Sequence, residues 1–441
     1  MLHILQCRVD VKVVDTLLKA GADINAVRDR DGRTPLLAMI AGHNSRIWVR
    51  LPEYGADCNA QDLDGNTALH FAMTHWGMEP DLVKQWLEAG ANPNIKNNLG
   101  QTCLFSLRFG NDPPTVDNII LYLVEASIDL EARDHRGRGA LLHFARNHET
   151  YIVRKLLEHG ATATVRDFEG KTIIHSLARS RIIYYGGYDE DMARLQKLFK
   201  IFIKAGVDPR AVDHAGNTTL HDAVESCHSS DEIDLLMVKA TIKTGVSSNA
   251  ENHQGRTALH CASALPHNMS DASRFEGLDE SCLGLLLQPT LCINVDSADH
   301  EGHTALHIAS SNSDVYVWQL ICARANVACK TREGRTPLHF AARARRSNIV
   351  GLISQVYNEH SWSVDQADSY GRTPLHDAAR SGRPESVSFL LACGANPNVK
   401  DRRAVHRFTP PQNLKKTQVS GTCNGHRLNI LVSLVCNSVI H

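Results

Sequence analysis

The sequence predicts an all-α repeat solenoid, with helix-turn-helix units stacked side by side and joined by short β-hairpin loops. Three observations predict it. A box reading Thr-Pro-Leu-His, or a near copy, begins at Thr34, Thr67, Thr102, Ala140, Thr172, Thr218, Thr257, Thr304, Thr336 and Thr373, at spacings of 32 to 47 residues. A glycine stands two residues before nine of these boxes: Gly32, Gly65, Gly100, Gly170, Gly216, Gly255, Gly302, Gly334 and Gly371. Apolar runs closed by glycine follow, as in Leu156-Leu157-Glu158-His159-Gly160 and Phe389-Leu390-Leu391-Ala392-Cys393-Gly394. A fixed period of this size marks units that bury their apolar faces only by stacking on neighbours.

Each part of the unit has a mechanical reason. The Thr hydroxyl caps the first helix, and Pro is tolerated at the first helical position because its missing donor would be unpaired there anyway. Leu fills the core. The glycine before the box marks a tight hairpin tip that needs positive φ. Glycine at the end of the second helix adopts the left-handed C-cap and turns the chain.

Box, turn glycine and Gly-Ala-Asx segment recur in register, and with them the chain resembles the ankyrin-repeat family from residue 1 to about 400. The resemblance implies helix pairs stacked into a curved solenoid, hairpins projecting at right angles, and box histidines His70, His143, His175, His221, His260, His307, His339 and His376 acting as hydrogen-bonded links between repeats. There are departures. Leu37 and Phe105 replace the box histidine, Ala140 follows a one-residue insertion in Arg136-Gly137-Arg138-Gly139, and the repeats from Thr257 and Thr336 lack Gly-Ala after helix two. The expected organisation is a partial N-terminal repeat at 1–33, a solenoid at 34–403 with insertions near 180–192 and 264–280, and a degenerate repeat or irregular tail at 404–441.

Composition narrows the function. With 47 basic and 48 acidic side chains in 441 residues, no net field draws in nucleic acid or anionic membrane. No apolar run approaches the 18 residues that span a bilayer, so membrane insertion is not expected. Twelve cysteines without a Cys-x-x-Cys pair, among them Cys261, Cys322 and Cys393, read as small buried hydrophobes in a reducing compartment. An intracellular protein, cytoplasmic or nuclear and monomeric, is expected.

Catalytic and metal motifs fail on inspection. Gly170-Lys171-Thr172 ends like a phosphate-binding loop, but Val165 stands where its first glycine should be. His148-Glu149 lacks a second histidine at Ile152, as a zinc-protease helix requires. Tip histidines on adjacent repeats, about 8 to 10 Å apart, do not easily share an ion that needs ligands at about 2 Å. No catalytic residue, cofactor or metal is expected.

A stacked frame with variable exposed positions suits binding, through the concave face of hairpin tips and first helices. The candidate contact residues are the apolar tips Leu63, Leu99, Phe168 and Tyr370 and the tip histidines His135, His214, His253 and His300. The tips either anchor a partner or pack on their neighbours; the histidines either line a pH-sensitive contact surface or are solvated turns. Arg343, Arg345 and Arg346, with Arg380 and Arg383, form either a basic stripe for an acidic partner or phosphate, or a solvated helix face. In the repeat from Thr172, about 13 extra residues lie between the helices, and Tyr184, Tyr185 and Tyr188 make that loop a second candidate, with neutral drift the alternative.

The expected function is a non-enzymatic scaffold or adaptor for a protein partner. The alternative is the recognition arm of a larger enzyme or signalling protein, such as a ubiquitin-ligase substrate receptor or nucleotide-switch regulator. A start inside a repeat and a decaying tail point to a piece of a longer chain.

Overall fold

The computed structural model describes residues 11–41, 51–74, 79–108, 113–147, 149–179, 188–227, 232–265 and 281–402. Its helices come in pairs. After α1 (Val11–Lys19) and α2 (Pro35–Ala41) with a 3₁₀ turn at Leu51–Tyr54, the pairs are α3 (Ala68–Thr74) with α4 (Pro80–Glu88), and a 3₁₀ turn at Cys103–Ser106 with α5 (Pro113–Glu125). Next come α6 (Ala140–Arg146) with α7 (Thr150–Glu158), α8 (Ile173–Ala178) with α9 (Tyr188–Lys204), and α10 (Thr219–Glu225) with α11 (Glu232–Lys243). The remainder are α12 (Ala258–Ala264) with α13 (Cys282–Leu286), α14 (Ala305–Asn312) with α15 (Asp314–Cys322), α16 (Pro337–Arg343) with α17 (Ser347–Glu359), and α18 (Pro374–Arg380) with α19 (Pro384–Ala392). Among the described residues the hairpins carry no full strand, only isolated antiparallel bridges such as Arg133–Gly139 and Ala298–Thr304.

Two units divide the chain, Met1–His214 and Ala215–His441. Within each, first helices pack on first helices, α6 on α8 in one and α12, α14, α16 and α18 successively in the other. The box sets this spacing. Leu69, Leu220, Leu306 and Leu338 are buried, and the alanines two positions past the box histidine, Ala72, Ala223, Ala262, Ala309, Ala341 and Ala378, are wholly inaccessible. A larger side chain there would force neighbouring helices apart.

The caps follow the sequence reading and refine it. Thr172, Thr218, Thr257, Thr304, Thr336 and Thr373 each form a capping box with the histidine three residues on, which takes the place usually held by Glu. The second helices end in left-handed residues. Where the box repeats from Thr257 and Thr336 lack the glycine, Cys292 (φ 46°), closing a 3₁₀ turn at Pro289–Leu291 that follows α13, and Ser361 (φ 56°), closing α17, take its conformation, and Ser127 (φ 59°) and Arg324 (φ 64°) do the same at two ends that also lack glycine. Left-handed backbone costs a residue with a Cβ about 1–2 kcal/mol.

The structure corrects four expectations. The hairpin around Gly137 (φ 76°) contains no insertion: Gly139 is the N-cap of α6 and stands in the Thr position, exactly as far from its turn glycine as each Thr is from its own. His143 therefore falls one residue past the box histidine's place, which Leu142 fills, buried. In the repeat from Thr102 the first helix shrinks to a 3₁₀ turn, and with Phe105 in the histidine's place the Thr102 hydroxyl is left buried without a hydrogen bond. The extra residues after Thr172 are not all loop, since from Tyr188 onward they lengthen α9 to 17 residues, with Leu195, Leu198, Phe199 and Phe202 buried. Cys322 is exposed and Cys261 and Cys393 are half-buried, whereas Cys58, Cys103, Cys227 and Cys282 are buried as expected. Tyr184 and Tyr185, the insertion beyond Leu265, the start of the partial N-terminal repeat and the tail at 404–441 lie outside the described residues.

Candidate functional site

A hairpin tip is built by one Asp or Asn. Asp62 Oδ1 accepts the N–H of Asp64 and of Asn66, and Asp134, Asp299 and Asp368 repeat the arrangement. Tips are then stitched to one another through backbone. In the first unit Leu63 N–H donates to Asp31 O, Asn98 to Asp64, His135 to Leu99, Phe168 to Arg136 and His214 to Glu169, all within 2.9–3.3 Å. In the second, His253 donates to Ala215, His300 to Gln254, Arg332 to Glu301, Ser369 to Glu333 and Arg402 to Tyr370, within 2.8–2.9 Å.

These bonds separate tip residues that look alike in sequence. Leu63, His135, Phe168, His214, His253 and His300 all follow the tip Asp or Asn, and each lies over the turn glycine of the preceding hairpin. A Cβ on Gly137 would come 2.6 Å from the Phe168 ring, and one on Gly216 2.6 Å from His253 Cδ2. The tip histidines pack on a glycine of the preceding hairpin while remaining exposed. Leu99 and Tyr370 sit one residue later. Leu63, Leu99 and Phe168 are 65%, 62% and 64% exposed, while the Tyr370 ring carries the Arg372 guanidinium 4.7 Å above it.

Beneath the tips, box histidines join one repeat to the next. Nδ1 of His70, His221, His260, His307 and His339 lies 2.9–3.0 Å from the Oγ1 of its own Thr, while Nε2 reaches the carbonyl just before the next repeat's Thr, on Gln101, Arg256, His303, Arg335 and Arg372, at 2.9–3.1 Å. Nδ1 also accepts the Thr N–H, so the neutral ring with hydrogen on Nε2 is the form that fits. Burial holds His70, His260 and His339 below the ordinary imidazole value and His307 down to about 4. His143, out of register, instead meets Phe105 edge-on at 5.6 Å and Asn147 at 3.3 Å.

The arginines divide. Arg346 pairs with Asp314 at 3.2 Å, and Arg345 is exposed. Arg343 and Arg380 instead converge with Arg335 and Arg372, which the sequence reading did not single out, on a cavity of about 380 Å³. The signal was present: Arg335 and Arg372 both immediately precede a box Thr, at the same spacing as Arg343 and Arg380. Burial raises the Asp368 carboxyl, but hydrogen bonds from Arg372 and Tyr370 outweigh it and hold the group below its ordinary value.

The catalytic look-alikes resolve into repeat parts. Gly170 (φ 78°) is a hairpin tip, Thr172 caps α8, and Lys171 Nζ pairs with Glu169 at 2.9 Å. Glu149, at the N-cap of α7, has its carboxyl pushed up to about 7 by burial. Among the described residues no three His, Cys, Asp or Glu side chains gather as a metal site, and no helix is long and apolar enough to cross a membrane.

Comparison with known proteins agrees with this geometry. The family model described as "Ankyrin repeats (3 copies)" matches residues 2–97, 269–358 and 316–401, a little over half of the chain. The B-cell lymphoma 3 protein homolog of Mus musculus is 26% identical, over 34% of this chain and 41% of its own length. Human neurogenic locus notch homolog protein 1 is 29% identical, over 41% of this chain and 8% of its own. The phosphocholine transferase AnkX of Legionella pneumophila is 24% identical, over 48% of this chain and 22% of its own. The chain thus spans less than half the length of each of these relatives. With the family model covering half the sequence, and the boxes, caps and tips in place, the chain belongs to the ankyrin-repeat family.

Proposed function

We propose that the chain is a non-enzymatic protein-interaction scaffold or adaptor that holds its partner on the face made by hairpin tips and first helices. Ankyrin repeats imply protein–protein interaction. One observation carries the choice of face: Leu63, Leu99 and Phe168 are each more than 60% exposed on tips whose backbones are locked to their neighbours. Large apolar groups on a rigid frame bind with little loss of side-chain and loop entropy, and such exposed groups mark interaction sites. His135 and His214 lie on the same row of tips. Tyr188, at the start of α9, remains a candidate for a separate contact.

The test is affinity capture by the intact chain against a Leu63→Ser/Leu99→Ser/Phe168→Ser variant. Loss of the captured partner with an unchanged melting temperature supports the reading; equal capture by both rejects this face.

A second reading is favoured by the short coverage of the relatives, 8% to 41% of their lengths. In it the chain is the recognition arm of a larger enzyme or signalling protein. Sequencing the full transcript separates the two: continuation into an effector domain supports the arm.

A further inference from the structure

The convergence of four arginines has a geometric origin. Arg343 closes α16 and Arg380 closes α18, while Arg335 and Arg372 each precede the box Thr of the same two repeats, so stacking one repeat on the next brings both pairs to one cavity of about 380 Å³. Two of the four are held in place. Arg372 gives Nε and Nη2 to Asp368 Oδ2 at 3.0 and 2.8 Å, and Arg335 Nε lies 3.4 Å from both Asp368 Oδ2 and Glu333 Oε2. Arg343 and Arg380 are exposed and form no ion pair among the described residues.

One acid faces them. Asp377 lines the same cavity, is 3% exposed, and keeps Oδ2 buried without a hydrogen bond. The cavity therefore offers planar guanidinium donors to an oxyanion and a single buried acceptor to a donor. Guanidinium forks match carboxylates and phosphates in two-point geometry. A lone anion satisfies the arginines but meets Asp377 unfavourably. An acidic peptide satisfies both, its side-chain carboxylates on the arginines and a backbone N–H on Asp377.

We propose that the cavity between α16 and α18 binds an acidic stretch of a partner polypeptide, with Asp or Glu carboxylates on Arg343 and Arg380 and a peptide N–H on Asp377. This rests on the scaffold reading above and names the chemistry of its partner. Arg335 and Arg372, held by Asp368, complete the guanidinium lining of the cavity and help steer the peptide in. Phosphoserine carries the same oxyanion chemistry, and the experiment distinguishes it from carboxylate.

The experiment is fluorescence anisotropy on the full chain with a labelled peptide of alternating Glu and Gly. Competitors are a phosphoserine peptide of equal length and charge, inorganic phosphate, and an oligouridine RNA of equal charge. Binding is expected to weaken as salt rises, to fall about tenfold in Arg343→Ala and in Arg380→Ala, and to fall further in the double variant with the melting temperature unchanged. Asp377→Asn, which removes the repelling charge, is expected to make inorganic phosphate a several-fold better competitor. Equal peptide affinity in wild type and double variant overturns the proposal, as does absence of binding by wild type. Stronger binding of the phosphoserine peptide overturns the carboxylate assignment, and stronger binding of RNA overturns the polypeptide assignment. Partner capture by the same two proteins separates this failure from that of the scaffold reading: if wild type and double variant recover a partner equally, only the cavity assignment falls; if neither recovers one, the scaffold reading falls.

Discussion

Two stretches built from the same repeat differ in one hydrogen-bonded ring. From Thr218 to Thr373 each first helix is capped by a Thr–His pair, and His221, His260, His307 and His339 reach on to the next repeat's carbonyl. From Thr102 to Arg146 Phe105 and Leu142 occupy the histidine's place, the first helix of the Thr102 repeat is a single 3₁₀ turn, and His143 makes an aromatic contact where a bridge would be. Both stretches bury an apolar core, Leu104, Leu141 and Phe144 in one and Leu220, Leu259, Leu306 and Leu338 in the other. Core packing therefore suffices to stack the units, and α6 stays a seven-residue helix without the ring, so what the histidine adds is the bond between repeats.

Removing the ring from the regular stretch should break the contrast most. His307→Ala orphans the Thr304 pair and the Arg335 carbonyl and opens a cavity, with an expected loss of about 3 kcal/mol. Hydrogen exchange of α14 and α16 checks it, with α6 unchanged. His307→Phe, which loses the same bonds but keeps an aromatic side chain in the core, should cost less than His307→Ala.

Acid should act on the same bridges together. The folded-state values of His260, His307 and His339 lie below the ordinary imidazole value of 6.5, so the unfolded chain takes up protons first, and stability present above pH 6.5 is lost as pH falls toward about 4 for His307. Hydrogen exchange between pH 7 and 4 is expected to loosen the Thr218–Thr373 repeats well before the Thr102 repeat. A uniform response would show that the bridges do not set regional stability.

Tip glycines should matter in both stretches alike. Gly216→Ala places a Cβ 2.6 Å from His253 Cδ2 on left-handed backbone, and Gly137→Ala does the same against Phe168. Each is expected to cost about 2 kcal/mol by denaturant unfolding. A smaller gain should come from restoring the ring: Phe105→His gives the Thr102 hydroxyl its partner and faces the Arg138 carbonyl, with about 1 kcal/mol gained. Ser361→Gly, which relieves left-handed backbone at φ 56°, should raise stability by about 0.5–1 kcal/mol.

What the sequence made legible was local. Box, turn glycine and helix-closing glycine each act within a few residues, so the repeat borders at Thr67, Thr218, Thr304, Thr336 and Thr373 coincide with observed caps. The error at Ala140 came from aligning on His143, whereas the two-residue distance from Gly137 to the cap held the register. Ser127 and Arg324 escaped notice because a left-handed residue with a side chain leaves no compositional mark. The site was legible in part: Leu63, Phe168 and the tip histidines were found, but their common seat over a neighbouring glycine is a contact between repeats. Arg335 and Arg372 were passed over for the same reason, as they meet Arg343 and Arg380 only after stacking.

The most direct test of the account is cross-linking mass spectrometry on the complex of the full chain with a partner it captures. The account predicts cross-links and protection on the hairpin tips and first helices, around Leu63, Leu99, Phe168 and the Arg343–Arg380 cavity. Contacts confined to the second helices, such as α15, α17 and α19, would contradict it.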